Sequence, residues 1–297
     1  SGSEGLVAAG NIFMGMTESP VLIKNYLPTM NRSEIFLVMV SGMGTIAGSV
    51  MGTYIGMLGG TDPAAKVLFA THLLSASVMA VPGSIVLAKM LCPQTEEATD
   101  HVAISGKEKE NSNILDAISS GTVTGVKLMT NIAAMLLVFI SLVALANYIT
   151  EGVIGRYTGL NDWIVKITDG KAQGLTFQFI LGVITSPFMW LIGVPSQDIM
   201  LVGSLLGQKT ILNEFVAYFQ LQQWKDAGLF MYEKSILMST YILCGFANIS
   251  SIGILLGGLG VLAPEKRGLI SRIGVPAMIG GALVSVLSAT IIGMILG

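Results

Sequence analysis

The chain has 297 residues, of which 52% are hydrophobic and only 11% are charged, and its formal net charge is −2. Typical soluble domains carry about 25% charged residues, so the composition excludes a water-soluble surface of the usual kind. The apolar content also excludes disorder, and the near-neutral charge gives no basic field for a nucleic-acid backbone. Its two cysteines, Cys92 and Cys244, lie in apolar runs and make neither a disulfide framework nor a zinc site.

Five apolar stretches are long enough to cross a bilayer, which takes roughly 20 residues as a helix. These predicted spans cover residues 35–58, 64–91, 126–149, 235–261 and 270–296. Residues 94–112 are strongly polar, and we expect a solvated loop there that leads into an interfacial helix at residues 113–124. The sequence therefore predicts an all-α polytopic membrane protein.

Two further apolar stretches are interrupted by residues that disfavour a continuous helix. Residues 6–27 are cut by glycine and proline, and residues 173–219 carry the sequence GVPS at 193–196. Glycine and proline together indicate a turn, so the second stretch predicts a re-entrant hairpin with its tip there and an outgoing half that runs through Glu214. We expect residues 6–27 to be the outgoing half of a similar hairpin, whose incoming half precedes residue 1.

The order of these features repeats along the chain. Glu18 and Glu214 each lie in an interrupted stretch and are 196 residues apart, while Pro82 and Pro276 lie in later spans and are 194 residues apart. A span broken by small and polar residues at 42–49 lies between Glu18 and Pro82, and a similar span broken at 245–251 lies between Glu214 and Pro276. Because three full spans separate the two hairpins, the hairpins enter from opposite sides, which predicts an inverted repeat of the kind found in secondary transporters.

The repeat divides the chain into three predicted parts. Residues 1–92 form the first repeat, residues 93–171 hold the polar loop, the interfacial helix and a scaffold helix, and residues 172–297 form the second repeat. Lysine and arginine favour the side on which the first hairpin exits by nine to six. The positive-inside rule then places that side in the cytoplasm and the C-terminus outside the cell membrane.

Charged and polar groups at membrane depth are the first candidates for function. A charge there costs about 2.5–3.5 kcal/mol on insertion scales. Glu18 and Glu214 could accept hydrogen bonds from the hydroxyls of one polar substrate, or they could bond the hairpin backbone. Asn248 brings an amide with several hydrogen-bonding positions. Asp198 could cap the outgoing half-helix of the hairpin, and Lys209 could snorkel or pair with a neighbouring acid.

The residue types also bear on a cation site and on an enzyme site. Asn11, Met14, Thr45 and Ile46 could offer side-chain and freed backbone oxygens to a hard monovalent cation, although spacing alone leaves this open. The sequence contains no Ser/His/Asp triad, HExxH, Walker A or CxxC motif. An intramembrane enzyme would have to use Glu18 and Glu214 as acid and base without a nucleophile. A channel is disfavoured because two hairpins would block it and no ring of charges is present.

Several motifs, in order, resemble those of the concentrative nucleoside transporters. They are NIFMGMTESP at 11–20, TIAG at 45–48, GVP at 193–195, KT at 209–210 with NEFVAY at 213–218, and CGFANISSIG at 244–253. The similarity covers essentially the whole chain. It implies symport of a nucleoside with a cation, a homotrimer in the inner membrane, re-entrant hairpins and an elevator-like movement of a transport domain. It implies no organic cofactor.

The resemblance also implies roles for particular residues. Those that would contact the ribose are Glu18, Glu214, Asn248 and Ser251. Phe246 would flank the nucleoside, and Thr17 and Val50 would line the side of the base. The sodium site would use the side chains of Asn11 and Thr45 and the backbone carbonyls of Met14 and Ile46. The asparagine at position 11 favours sodium over a proton as the coupling ion.

Met16 departs from the family pattern, which usually has glutamine at this position facing the nucleobase. A thioether cannot replace the two donors and the strong acceptor of an amide. The ribose site is intact in the sequence, but the base preference is not fixed. Relaxed selectivity, a purine bias and a different ligand on the same scaffold are the open alternatives.

Overall fold

The computed structural model describes residues 1–97, 144–168, 170 and 172–297, together with scattered positions between 113 and 142. All regular structure in these described residues is helical. The helices are α1 (Gly2–Gly10), α2 (Arg32–Gly44), α3 (Gly48–Gly59), α4 (Pro63–Leu91), α5 (Leu160–Ile167), α6 (Phe177–Leu191), α7 (Ile199–Ile211), α8 (Glu214–Asp226), α9 (Glu233–Leu243), α10 (Ile249–Leu262) and α11 (Arg267–Leu296). Shorter elements are the 3-10 turns Ser19–Ile23 and Pro264–Lys266, the π-helical segment Tyr148–Gly155 and the helical turn Arg156–Thr158.

The chain divides into two compact units, one formed by residues 1–102 and 180–297 and the other by residues 103–179. In the smaller unit, one asparagine, Asn161, organises the turns. The amide of Asn161 donates to the carbonyl of Glu151 at 3.0 Å and accepts from the backbone N–H of Leu175 at 3.0 Å. These bonds tie α5 to the π-helical segment before it and to the loop after it.

Three helical stretches in the described part of the chain are long and apolar enough to cross a membrane. They are Arg32–Gly59, Pro63–Leu91 and Pro264–Leu296, with mean hydropathies of 1.8, 1.6 and 2.2. They coincide with the predicted spans at 35–58, 64–91 and 270–296, which are thereby confirmed by length and composition. The predicted interfacial helix at 113–124 and the predicted span at 126–149 are described only in part, and residues 98–112 of the polar loop fall outside the described residues.

Two of the predicted spans are broken where the sequence indicated. The first break, Thr45–Ala47, separates α2 from α3, and the second, residues 244–248, separates α9 from α10. The backbone N–H of Phe246 donates to the carbonyl of Thr45 at 3.1 Å, so the two breaks bond to each other. The N–H of Gly48, at the start of α3, donates to the carbonyl of Phe13 at 2.9 Å. Backbone groups released by the breaks therefore find partners inside the protein.

The same order of elements occurs twice in the larger unit. In each case a broken helix is followed by a long helix with an internal proline: α4 contains Pro82 and α11 contains Pro276. Helix α11 packs against α2, α4, α9 and α10, while α4 packs against α2, α3 and α9. The order matches the predicted repeat, whereas the inverted orientation of its halves stays a prediction.

The second hairpin region differs from the prediction in where its outgoing helix ends. Helix α7 stops at Ile211 and does not run through Glu214. Asn213 has an extended backbone, and its side-chain oxygen accepts from the N–H of Val216 at 2.9 Å, which caps a new helix, α8. Glu214 therefore lies in the first turn of α8.

The first interrupted stretch, residues 6–27, is also split. Helix α1 ends at Gly10, residues 11–18 form no regular helix, and the 3-10 turn Ser19–Ile23 follows. The turn starts with a serine and a proline. Proline has no backbone N–H, and the first N–H groups of a helix have no partner within the helix, so a proline there costs no hydrogen bond. The non-helical residues between α1 and this turn include those of the motif at 11–20.

The close approach of the two breaks predicts that Gly245 tolerates no side chain. A methyl group on Gly245 would lie 2.7 Å from Ser285 Oγ and 2.9 Å from the carbonyl oxygen of Met43. We expect Gly245→Ala to destabilise the protein by about 1–3 kcal/mol through overpacking. The melting temperature of the detergent-solubilised protein measures this.

Gly253 on α10 is the matched control, because a methyl group there meets nothing within 4 Å. Gly253→Ala should leave the melting temperature unchanged or raise it slightly, since alanine favours a helix over glycine. Equal melting temperatures for the two variants would contradict the close packing of the breaks.

Candidate functional site

Asn248 organises a polar cluster at the second helix break. Its side-chain oxygen accepts from the N–H and the hydroxyl of Ser251 at 2.9 and 3.0 Å, and from the hydroxyl of Ser250 at 2.6 Å. The oxygen is thus used to cap α10. The amide nitrogen points the other way and donates to Oε2 of Glu214 at 2.9 Å. The cap therefore fixes which end of the amide faces the carboxylate.

Glu214 holds a carboxylate in the interior of the larger unit. Its residue is 7% exposed, and its second oxygen, Oε1, accepts from the hydroxyl of Tyr54 on α3 at 3.3 Å. The first turn of α8 favours a negative charge because the N-terminal backbone N–H groups of a helix point toward it. A carboxylate has about four acceptor positions, so the two protein donors leave capacity for the hydroxyls of a ligand.

Lys209 stabilises the end of α9, and among the described residues it has no acidic partner at hydrogen-bond distance and does not snorkel. It is fully buried, and Nζ donates to the carbonyl of Ile242 at 2.7 Å and to Ser285 Oγ at 3.1 Å. The Ser285 hydroxyl in turn donates to the carbonyl of Cys244 at 3.1 Å. A cation at the C-terminus of a helix interacts favourably with the negative end of the helix dipole, so Lys209 stabilises α9 where it ends at the second break.

Asp198 also has a role other than the one expected. It stands before α7, but its side chain makes no capping bond to that helix. Its carboxylate accepts from the backbone N–H groups of Met231 and Tyr232 at 3.0 and 3.1 Å. Asp198 therefore fastens the turn between α6 and α7 to the loop before α9.

Asn11 and Thr45, two of the predicted cation ligands, meet around Ser41 of α2. The Asn11 amide donates to Ser41 Oγ at 2.8 Å, and the Thr45 hydroxyl donates to the carbonyl of Ser41 at 3.0 Å. The Asn11 oxygen accepts from the hydroxyl of Ser19 at 2.6 Å. Both Asn11 and Thr45 are buried.

The carbonyls of Met14 and Ile46, the other two predicted ligands, belong to non-helical residues. Among the turn and loop hydrogen bonds of the described residues, no backbone N–H is directed at either carbonyl. Neutral side-chain oxygens and unpaired carbonyls next to a helix break are the donor set that holds sodium in secondary transporters. The residues present therefore fit a monovalent cation.

The residues assigned to the base side lie in different surroundings. Met16 is 7% exposed and packs on α2, where a methyl group on Gly42 would come within 2.9 Å of its Cβ. Thr17 lies against α10, close to Gly258. Val50 and Phe246 are half-buried.

The two predicted carboxylates, Glu18 and Glu214, differ in how exposed they are. Glu18 is exposed, and its carboxylate folds over Gly15. Within the described residues, the hydrogen bonds that join Glu214, Asn248 and Ser251 do not include Glu18. Hydrogen bonds thus join three of the four predicted ribose contacts, and the fourth, Glu18, is exposed.

Three polar residues that hydrogen-bond to predicted site residues are not predicted from the sequence. Ser41 lies on α2, four residues before Thr45, which directly follows that helix. Tyr54 lies on α3, four residues after Val50. Residues four apart lie on the same helix face, so this spacing is the signal that could have found them. Ser19 follows Glu18 directly and carries no such signal.

A buried carboxylate hydrogen-bonded to a helix break, in a chain with three helical stretches long enough to cross a membrane, is typical of a secondary transporter. Comparison with known proteins gives the family. The family described as "Na+ dependent nucleoside transporter C-terminus" matches residues 72–293. The chain belongs to this family, the concentrative nucleoside transporters, whose members are multi-pass membrane transporters and not enzymes.

Relatives at similar identity include characterised and uncharacterised transporters. An uncharacterised transporter of Haemophilus influenzae is 39% identical over 300 residues, which cover 100% of this chain and 67% of the relative. The uncharacterised transporter YutK of Bacillus subtilis is 40% identical over 99% of this chain and 67% of its own length. Sodium/nucleoside cotransporter 1 of Rattus norvegicus is 39% identical over 99% of this chain, which spans 44% of the rat protein.

Solved structures confirm the all-α transporter fold. CNTnw in an inward-facing substrate-bound state superposes with a TM-score of 0.83 at 36% identity, covering 100% of this chain and 65% of that one. A doubly substituted CNTnw in an outward-facing state gives a TM-score of 0.84 at 36% identity, covering 99% and 66%. The chain thus spans about two thirds of these structures.

Proposed function

We propose that this protein is a sodium-coupled symporter that imports nucleosides across the cell membrane by alternating access. The observation that carries the proposal is the buried Glu214 carboxylate, held by Asn248 beside the second helix break. Its related rat protein is named a sodium/nucleoside cotransporter, and CNTnw is known in both inward- and outward-facing states. An elevator-like movement of a transport domain is the form of alternating access that we propose.

In this proposal the polar cluster binds the ribose. Carboxylates accept strong hydrogen bonds from hydroxyls, and an amide and a hydroxyl complete the set. The proposed ribose contacts are Glu18, Glu214, Asn248 and Ser251. Phe246 flanks the nucleoside, while Met16, Thr17 and Val50 form the side of the base.

Sodium is proposed to bind at the first break, through the side chains of Asn11 and Thr45 and the carbonyls of Met14 and Ile46. The Thr45 carbonyl accepts the N–H of Phe246 at 3.1 Å, so this cation site is one hydrogen bond away from a residue that flanks the nucleoside. That bond is a direct physical route by which either ligand can bias the other.

We further propose an inverted repeat formed by residues 1–92 and 172–297, a homotrimer embedded in the inner membrane, and a C-terminus outside the cell. The recurring order of elements supports the repeat. The family resemblance supports the trimer. The excess of lysine and arginine on one side supports the orientation.

Uptake into proteoliposomes tests the function directly. The purified protein should accumulate labelled uridine or adenosine faster with an inward sodium gradient than with an equal potassium gradient. Protein-free liposomes give the background. If neither nucleoside shows sodium-stimulated uptake, this protein is not a sodium-coupled nucleoside symporter.

Replacing Glu214 by glutamine should weaken nucleoside binding. The variant keeps the shape of the side chain but loses the charge, and hydrogen bonds to charged groups contribute about 1.5–3 kcal/mol. We expect Glu214→Gln to lower ribonucleoside affinity about tenfold or more. Competition assays should show a smaller loss for 2′- and 3′-deoxynucleosides.

Glu233 provides a matched control for this charge. It occupies the first turn of α9, as Glu214 occupies the first turn of α8, but it is exposed. Glu233→Gln should leave the affinity unchanged. A loss in Glu214→Gln that is equal for all sugars would indicate a purely structural carboxylate.

The proposed sodium site predicts altered coupling in Asn11→Ala combined with Thr45→Ala. Removing two oxygens should shift the sodium activation curve of uptake to higher concentrations. Nucleoside affinity should fall mainly at limiting sodium, because binding linkage is reciprocal. Thr53→Ala, at an exposed position on α3, is the control. Superimposable curves for the double variant and the parent would rule out this ligand set.

Met16 gives a prediction about the base. The apolar side chain should suit the two fused rings of a purine better than the polar edge of uracil, and Met16→Gln restores an amide. A regained bond to a neutral group contributes about 0.5–1.5 kcal/mol, so the affinity for uridine relative to adenosine should rise about twofold to tenfold. Met16→Leu is the apolar control. An unchanged ratio would mean that Met16 serves only in packing against Gly42.

A further inference from the structure

The geometry points to Tyr54 as a positioning residue that fixes the orientation of the Glu214 carboxylate and so contributes to recognition of the ribose. This inference rests on the proposed function, because it concerns how the same site selects its ligand. Tyr54 lies on α3, after the first helix break, whereas Glu214 begins α8, which is 160 residues further along the chain. Tyr54 is fully buried, so we infer that it acts on the ligand through Glu214.

The carboxylate of Glu214 is held at both oxygens from two different helices. Asn248 donates to Oε2 at 2.9 Å and Tyr54 donates to Oε1 at 3.3 Å. The terminal torsion of a glutamate is broad and has no strong preference of its own. Two donors on opposite oxygens therefore select the plane of the carboxylate, which a single donor would leave free to turn.

The tyrosine itself has little freedom to move. Its ring stacks on Tyr218, with the centroids 4.1 Å apart and the planes at 24°, and it lies 6.2 Å from the ring of Phe215. The hydroxyl of Tyr218 donates to the carbonyl of Thr240 on α9 at 2.8 Å. The Tyr54 hydroxyl is thus anchored by aromatic packing on the helix that carries Glu214.

Packing alone does not account for the hydroxyl of Tyr54. A phenylalanine would preserve the stack, whereas a buried tyrosine hydroxyl needs a hydrogen-bond partner, and Glu214 is that partner. A carboxylate that is already oriented loses less freedom when the ribose hydroxyls arrive, which favours binding. At 3.3 Å the bond is longer than the usual O–H···O distance of about 2.5–3.0 Å. We therefore expect Tyr54 to contribute less than Asn248.

The test compares Tyr54→Phe with Tyr218→Phe in sodium-stimulated uptake. Each variant removes one hydroxyl from the same aromatic stack, but only Tyr54 bonds Glu214. Tyr54→Phe should weaken uridine affinity on the order of threefold to tenfold, with a smaller loss for 2′- and 3′-deoxyuridine. Tyr218→Phe should stay within about twofold of the parent for all three, since its hydroxyl donates to the Thr240 carbonyl and not to Glu214. Equal losses for all three ligands in Tyr54→Phe would overturn the inference.

A double-mutant cycle with Glu214→Gln separates this inference from the proposed function. Melting temperatures of the parent, Tyr54→Phe, Glu214→Gln and the double variant should be non-additive, because contacting residues couple. This measurement needs no ligand. If the parent takes up no nucleoside, the proposed function fails, but the cycle still decides the pairing. Additive shifts would show that Tyr54 does not act through Glu214.

Discussion

The hydrogen bond from the N–H of Phe246 to the carbonyl of Thr45 joins the two helix breaks on which the whole site depends. A backbone group without a partner costs several kcal/mol in the hydrocarbon core, so a broken helix is tolerated only where the protein satisfies the released groups. Three further groups near the breaks are met by Phe13, Lys209 and Ser285. The glycine at position 245 allows the two backbones to approach, because a methyl group there would lie 2.9 Å from the carbonyl oxygen of Met43.

This arrangement gives the site two sides that share one backbone contact. Asn11 and Thr45 gather around Ser41 on one side, and Glu214 and Asn248 pair on the other. A ligand that orders the first break stabilises the acceptor of the shared bond, and a ligand that orders the second stabilises its donor. If cation and substrate bind at these breaks as proposed, reciprocal linkage between them follows from the fold, because each ligand favours the same arrangement of the breaks.

The sequence predicted the breaks because polar and small residues interrupt otherwise apolar spans, and that signal is local. The sequence predicted that α7 runs through Glu214, which is too far. Helices α7 and α8 are both helical in pattern, and only the extended backbone at Asn213 separates them. The roles of Asp198 and Lys209 depend on partners more than 30 residues away, and that of Tyr54 on a partner 160 residues away. Periodicity and spacing describe one helix at a time and carry no information on such contacts.

The two carboxylates at matching repeat positions also show the limit of an argument from repeats. Glu214 is buried, and the cost of removing its charge from water is offset by donors from two other helices and by the start of α8. Glu18 is exposed and needs no such donors. A preorganised carboxylate discriminates between hydroxyl patterns because it cannot turn to suit each one, whereas an exposed carboxylate adapts to the ligand. If both carboxylates contact the ribose as proposed, Glu214 supplies selectivity and Glu18 supplies adaptability.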